Sequence, residues 1–232
     1  MLRTLYDWPK RIEPSRAIAR FVTTVEEGRV SRLALENGVA APGGRVQLSM
    51  EFGYRQKTTD IEAVSWLVSK LRGNIFRVPI PKSVQVARYE DLGLAHGAYG
   101  KGIPFDEGVL FAEGVGFAFD PTLDTAGSAL EGEMEIAIDE TRWPGLLRYG
   151  KWIGIGFGAY HIADVVRVGT TVTVTVEPPL LRDVAAGEFV SLRPSLICQA
   201  KDAASFASAF EPADLIQPGS LVMTQVRDER FL

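Results

Sequence analysis

The sequence is poor in the residues from which disulfide frameworks and metal centres are built. Its 232 residues include one cysteine and two histidines. A single cysteine excludes an internal disulfide and any site that needs several cysteines, such as a zinc ribbon or an iron–sulfur cluster. Two histidines are too few for a histidine-rich metal site. We therefore expect no resident metal and no cofactor, and we expect folding in a reducing cytoplasm.

Strong net charge and long apolar runs are also lacking. The chain has 25 Lys and Arg against 29 Asp and Glu, a formal net charge of −4. This balance argues against broad electrostatic binding of nucleic acid. No run of about 20 apolar residues occurs, so the sequence predicts no membrane insertion. With 46% hydrophobic residues, the chain can bury a core.

One segment has the signature of an amphipathic helix, residues 59–72. Thr59 and Glu62 form a T-x-x-E capping box at its start, and Gly73 stands where helices often end. Apolar residues recur at helical spacing, namely Ile61, Val64, Leu67, Val68 and Leu71. We expect this stripe to lie on a sheet. Trp66 falls off the stripe, so it either packs at the edge of the helix or is available to a partner.

Most of the remaining sequence predicts strands and loops. Strand candidates in the first half are residues 20–25, 29–35, 45–52 and 74–80. Candidates in the second half are residues 134–138, 153–157, 162–168, 171–176 and 189–192. Residues 162–168 and 171–176 flank a Gly-Thr dipeptide and predict a hairpin with its alternating valines inward and its threonines outward.

These segments predict a mainly β, α+β fold in four parts. Residues 1–82 form a first domain with the helix, and residues 83–108 form a long glycine-rich loop, a kind of segment that is usually functional or mobile. Residues 109–200 form a second β-domain or barrel. Residues 201–232 form a tail that wraps a neighbour or stays loose.

Three glycines, Gly154, Gly156 and Gly158, follow a strand and invite comparison with a dinucleotide-binding loop. That fingerprint needs G-x-G-x-x-G at the start of a helix. Here the spacing differs and another strand follows. We therefore expect these glycines to let a neighbouring backbone or a large side chain approach closely.

The densest group of carboxylates lies within residues 131–140. Alternation places Glu133 and Glu135 on one face of a strand, with Met134 and Ile136 behind them. Paired carboxylates can act as the acid and base of a glycosidase or bind a hard cation. A solvated strand face is the ordinary explanation and the one we favour. A third interpretation is an acidic surface lining a lumen, which would limit adhesion of DNA.

The histidines and the cysteine are isolated in sequence. His96 has no candidate partner, and His161 lies near Asp164 without the G-x-S-x-G nucleophile that such a pair would serve. Cys198 lacks the basic neighbourhood of a reactive thiol, apart from Lys201, and is expected to pack in a core. The sequence therefore predicts no catalytic residue.

Aromatic residues gather around a turn in the second half, namely Trp143, Tyr149, Trp152 and Tyr160. They are candidates for an exposed platform that contacts a carbohydrate or a protein, because aromatic side chains offer large, amphipathic contact area. Packing beneath a loop is the equal alternative.

The order of these segments resembles a family of tailed-phage structural proteins, the distal tail proteins of siphophages and of phage-like gene transfer agents. The resemblance covers residues 5–200 and rests on structural motifs. They are residues 5–9 with the opening tryptophan, the strand at 43–48, the helix end at 71–74, the block 147–155 and the close of the hairpin at 177–182.

The resemblance implies a tail-tube-like β-sandwich with one helix and a projecting second β-domain, OB-like or galectin-like in many members. Members of that family form a hexameric ring that joins the tail tube to the baseplate hub. For this chain it implies a non-enzymatic virion component, assembled in the host cytoplasm. The tail tube protein, the hub protein and further copies of the chain would be its partners.

Other interpretations remain open. The chain could be another tail protein, a tube or terminator protein, or a carbohydrate- or receptor-binding β-module of the baseplate. An enzyme, a hydrolase using Glu133 or Glu135 with Asp139, is the least favoured interpretation, because no nucleophile, ligand triad or phosphate loop is apparent.

Overall fold

The structure is a computed structural model that describes residues 4–9, 11–22, 25–26, 39–40, 45–53, 57–81, 85, 121–201, 203, 206 and 219–226. This part of the chain contains fourteen strands and one helix. The predicted mainly β, α+β fold with one helix is confirmed. The chain forms two compact units, Met1–Pro81 with Ser195–Leu232, and Lys82–Pro194.

The first unit is built on a six-stranded sheet. Its strands are β1 (Leu5–Asp7), β2 (Arg16–Val22), β5 (Arg45–Glu51), β6 (Ile75–Pro79), β13 (Ser195–Ala200) and β14 (Leu221–Gln225). Their order is β1-β6-β13-β14-β5-β2, so β1 and β2 are the edge strands. β1 pairs with β6 in parallel, and the other neighbours are antiparallel. Two short strands, β3 (Val25–Glu26) and β4 (Val39–Ala40), form a separate sheet.

One face of the six-stranded sheet is apolar. Residues paired across antiparallel strands share a face, and the register brings buried side chains together. They are Val46, Leu48, Met50, Phe76, Val78, Leu196, Cys198, Leu221 and Met223. The helix α1 (Thr58–Leu71) packs on this side, because the ring of Tyr6 lies 5.8 Å from that of Phe76 and 5.6 Å from that of Trp66.

The helix begins and ends one residue earlier than predicted. Its N-cap is Lys57, which makes no side-chain capping bond, so the predicted capping box at Thr59 is wrong. Thr59 already lies inside the first turn, because the amides of Asp60 and Ile61 donate to the Lys57 carbonyl. Gly73, with φ +77°, follows the C-cap Arg72 and is confirmed as the glycine just past the helix end.

The buried stripe of the helix is narrower than the sequence predicts. Val64, Leu67 and Leu71 are buried, whereas Ile61 and Val68 are only half-buried. These two residues lie at the border of the stripe, where the helix surface curves away from the sheet.

The second unit is a closed barrel of six antiparallel strands. They are β7 (Thr122–Thr125), β8 (Glu135–Asp139), β9 (Trp152–Ile155), β10 (Gly158–Val168), β11 (Thr171–Glu177) and β12 (Phe189–Ser191). The order is β10-β11-β8-β7-β12-β9. Val172, Val174 and Val176 point into the core, and β11 pairs with β10, so the predicted valine hairpin is confirmed.

The two units have different boundaries from the domains that the sequence predicts. β13 pairs with β6, and β14 pairs with β13 and β5, so residues 195–200 and 221–225 belong to the first sheet. Phe206 is buried with its ring 5.2 Å from that of Phe52. The barrel is therefore inserted in the chain between two neighbouring strands of the first sheet. The strand predicted at residues 29–35, His96 and the loop at 83–108, Gln85 excepted, lie outside the described residues.

Candidate functional site

Two of the four aromatic residues predicted as a platform are core residues. Trp152 in β9 and Tyr160 in β10 are 2% and 1% exposed. The Tyr160 hydroxyl accepts a hydrogen bond from the backbone N–H of Leu181 at 3.2 Å, which satisfies its polar end. The Trp152 ring packs against the ring of His161 at 5.4 Å. A surface platform that includes these two residues is wrong, because neither can reach a ligand.

The other two aromatic residues of this group have different surroundings. Trp143 is half-buried against the barrel core, and the Arg142 guanidinium lies 4.5 Å from the centre of its ring. Tyr149 is exposed. Phe189 in β12, an aromatic residue that the sequence did not single out, is also exposed. The sequence predicts the strand that contains Phe189, but a strand this short has too little alternation to show which face is outward.

Trp66 packs at the edge of the helix and also stays accessible, which combines the two alternatives that the sequence left open. Its ring packs edge-on against that of Tyr6 at 5.6 Å with an interplanar angle of 88°. It nevertheless remains 38% exposed. The Lys70 ammonium lies 5.8 Å from the centre of the Tyr6 ring, so this corner of the helix is ordered by aromatic contacts.

Glu133 and Glu135 do not share a strand face. Glu133 lies in the turn before β8, where its carboxylate accepts the Leu130 N–H at 3.0 Å. Glu135 opens β8, and Met134 between them is 41% exposed, so the inward alternation begins only at Ile136. Both carboxylates are exposed. This arrangement agrees with the solvated surface that we favoured over an acid–base pair.

Asp139, at the end of β8, is engaged by its own turn. Its carboxylate accepts hydrogen bonds from the Thr141 hydroxyl at 2.5 Å and from the Thr141 N–H at 2.9 Å. These bonds, that of the hydroxyl first, hold the pKa of Asp139 below its ordinary value.

Glu140 is a buried carboxylate that the sequence did not single out. Its side chain is 3% exposed and accepts the N–H groups of Leu147 and Gly145 at 2.5 Å and 3.0 Å. Arg167 Nε lies 3.3 Å from it, and the same guanidinium donates to the Leu147 carbonyl. These bonds tie the turn after β8 to β10, which is a structural use of the charge. The signal in the sequence is that residue 140 continues the inward alternation of Ile136 and Ile138.

The three glycines fit close contacts, as predicted. A Cβ on Gly154 would lie 3.2 Å from Pro194, and one on Gly158 would lie 2.5 Å from the Tyr160 hydroxyl oxygen. Gly156 has φ +56°, and a Cβ there would lie 2.7 Å from the Arg182 guanidinium. Because Arg182 is held by an ion pair with Glu188, that contact could not easily give way.

Cys198 is confirmed as a core residue. Its thiol is buried, lies 3.7 Å from the Phe76 carbonyl oxygen and has its pKa raised by burial. Across the described ranges, no three Asp, Glu, His or Cys side chains come together as a metal-binding group.

Val166 and Val168, the largest exposed apolar side chains of β10, lie on the outer face of the barrel. The strand register arranges this face in three rows. The rows are Asp164–Thr175–Glu135, Val166–Thr173–Ala137 and Val168–Thr171–Asp139–Asp124–Phe189. We name these residues the acidic barrel face. All of its charged side chains are carboxylates, and Val166 and Val168 are 57% and 76% exposed.

The acidic barrel face ends at an open strand edge. β9 pairs with β10 only from Gly158 to His161, whereas β11 pairs with it as far as Val168. In the part of the chain that the structure describes, Asp164 to Val168 therefore have a strand on one side only. Asp164 accepts the N–H of Val165 at 2.7 Å, which satisfies one backbone group there.

Among the described residues, a second open edge carries the opposite charge. The outer side chains of β2 are Arg16, Ile18 and Arg20, which we name the basic β2 edge. Arg16 lies 3.8 Å from Glu51, with both side chains well exposed, and Arg20 donates to the Gln47 amide oxygen at 3.2 Å. Ile18 between them is 46% exposed. Such an edge offers main-chain hydrogen bonds to another strand.

No known family is identified by comparison. Neither the protein-family models nor the curated proteins include a match to this chain. Among the described residues, no helix combines the length and apolar character needed to cross a membrane. Two surfaces stand out among the described residues, the acidic barrel face and the basic β2 edge.

Proposed function

We propose that this protein is a structural component of a phage-like tail, a distal tail protein whose copies form a ring between the tail tube and the baseplate hub. The order of segments described above supports the family. The observation that carries the proposal is a six-stranded sheet whose edge strands, among the described residues, are β1 and β2, with a complete barrel inserted in the chain between β6 and β13.

Open edges suit a head-to-tail assembly. Each open edge leaves a row of backbone donors and acceptors that a neighbouring copy can satisfy. A heterologous interface uses two different surfaces of each copy and closes into a ring when the rotation between copies closes. The chain offers two exposed edges of different chemistry, the basic β2 edge and the open end of β10 on the acidic barrel face.

Charged side chains in the barrel, one of them buried, also support a building block. Glu140 binds Arg167 and two backbone amides, and Arg182 binds Glu188. Each of these charges holds a turn of the barrel in place. A separately folded barrel suits a distal position better than a tube position, because an outward domain has room there. The carbohydrate-binding alternative loses its main support with the burial of Trp152 and Tyr160.

Imaging of the purified full-length protein tests this proposal. Negative-stain electron microscopy, with mass photometry over a range of concentrations, should find closed rings with the six-fold symmetry that the resemblance implies. The rings should stack on tubes of the cognate tail tube protein. A chain that stays monomeric at every concentration, and that binds neither tube nor hub protein, would overturn the proposal.

A further inference from the structure

We propose that the basic β2 edge of one copy pairs with the open edge of β10 on the acidic barrel face of a second copy. This inference rests on the proposed ring and names the two surfaces that meet in it. Both strands are exposed, and in the described residues each has a strand on one side only at these positions. The pairing would supply main-chain hydrogen bonds to both.

Charge complementarity selects these two edges for each other. The acidic barrel face presents Asp164 at the edge, with Glu135 in the same row two strands away. The basic β2 edge presents Arg16 and Arg20, and Arg45 continues this charge on the next strand beside Val22. Opposite potentials on the two surfaces favour the correct partner and exclude pairing of like edges.

The alternation of side chains matches as well. On β10 the outer positions read Asp164, Val166, Val168, and on β2 they read Arg16, Ile18, Arg20. Placing Val166 opposite Ile18 covers two exposed apolar side chains at once. The two strands then run antiparallel, so that Asp164 lies opposite Arg20 and Val168 lies opposite Arg16. Apolar and opposite-charge cross-strand pairs both stabilise a sheet.

The other edge of the first sheet is a poorer partner. β1 has three residues, and its exposed charge, Asp7, has the same sign as the acidic barrel face. Arg77 already lies 3.6 Å from Asp7. By contrast, the ion pair of Arg16 with Glu51 is between well-exposed side chains and is therefore weak, so Arg16 can exchange partners.

Charge exchange in the full-length protein tests the pairing. The variants are Arg20→Asp, Asp164→Arg and the two together, with Arg11→Asp and Glu131→Arg as controls at exposed positions outside both surfaces. Each single change should raise the protein concentration needed for half-assembly at least about tenfold, because it sets like charges side by side. The double variant should recover assembly. Mass photometry measures assembly, and circular dichroism checks folding.

Cross-linking tests which residues meet. Ile18→Cys protein is mixed with Val166→Cys protein and treated with a short bis-maleimide. The native Cys198 is buried and does not compete. The mixture should give a cross-linked dimer that neither variant gives alone. A mixture with Glu131→Cys in place of Val166→Cys is the matched control.

The outcomes separate this inference from the ring itself. Rings that form equally well with Arg20→Asp and Asp164→Arg overturn the pairing and leave the ring proposal standing. Single variants that fail without recovery in the double variant, or equal cross-linking by the control mixture, also overturn it. A wild-type protein that forms no ring and no cross-link overturns both.

Discussion

Glu140 is a buried carboxylate whose partners hold the turn after β8 in place. Its two oxygens satisfy the N–H groups of Gly145 and Leu147 and face the Arg167 guanidinium. A charge is tolerated at such a site only when it is paired and hydrogen-bonded. The residue therefore contributes to the stability of the barrel.

Replacement of Glu140 should reveal this role. Glu140→Ala removes the acceptor of the buried Leu147 amide and of the Gly145 amide, and it removes the ion-pair partner of Arg167, so we expect a loss of about 1–3 kcal/mol in the free energy of unfolding. Glu140→Gln keeps one acceptor and should lose less. Urea unfolding measures the change. Glu135→Ala, on the exposed end of β8, is the control, and an equal effect of both alanine variants would contradict the assignment.

Along β9, β10 and the turn between them, three glycines leave room for side chains that pack closely on this hairpin. The Tyr160 ring covers Gly158, Pro194 covers Gly154, and the Arg182 guanidinium covers Gly156. The sequence predicted close approach at these positions from their spacing and from the strand that follows. It could not name the covering residues, because Pro194 and Arg182 approach from distant parts of the chain.

Adding one methyl group tests this packing. Gly158→Ala places a Cβ 2.5 Å from the Tyr160 hydroxyl oxygen and 2.7 Å from Cζ of its ring, so the ring must move. We expect the unfolding free energy to fall by about 1–3 kcal/mol, as for other overpacked cores. Gly127→Ala is the matched control, because its Cβ would meet only Ala137 at 3.9 Å. Thermal unfolding of both variants measures the difference, and equal stabilities would refute the close contact.

For the helix too, the local sequence predicted some features correctly and others wrongly. Its apolar stripe and its end at Gly73 follow from local sequence, and both are present. The predicted start of the helix was wrong because Thr59 lies within the first turn. The Ile61 amide, which the Thr59 side chain could have capped, already donates to the Lys57 carbonyl. Helix starts depend on which residue leaves the helical conformation, and more than one nearby residue can satisfy the same capping signature.

For the whole molecule, the notable feature is that β14 is an interior strand. The sequence assigned residues 201–232 to a tail, yet Leu221, Met223 and Gln225 are buried between β13 and β5. The Gln225 side chain accepts the N–H of Val46 at 3.2 Å. Removing this strand would open the middle of the first sheet and expose its apolar face.

Truncation tests this arrangement. A chain that ends at residue 218 lacks β14, and we expect it to lose cooperative unfolding and to aggregate, because β5 and β13 lose their common neighbour. A chain that ends at residue 226 retains every described strand and should fold like the full-length protein. Solubility and thermal unfolding measure the difference. Equal stability of the two truncations would contradict an interior β14.

The sequence by itself determined the fold class, one amphipathic helix, the valine hairpin and the core position of Cys198, because periodicity and local composition encode these features. Tertiary structure alone decided that β13 and β14 return to the first sheet, that Trp152 and Tyr160 are buried, and that Glu140 meets Arg167. It also decided which open edges carry opposite charge. Such features depend on pairing between residues far apart in the chain, and that pairing leaves no local signature in a single sequence.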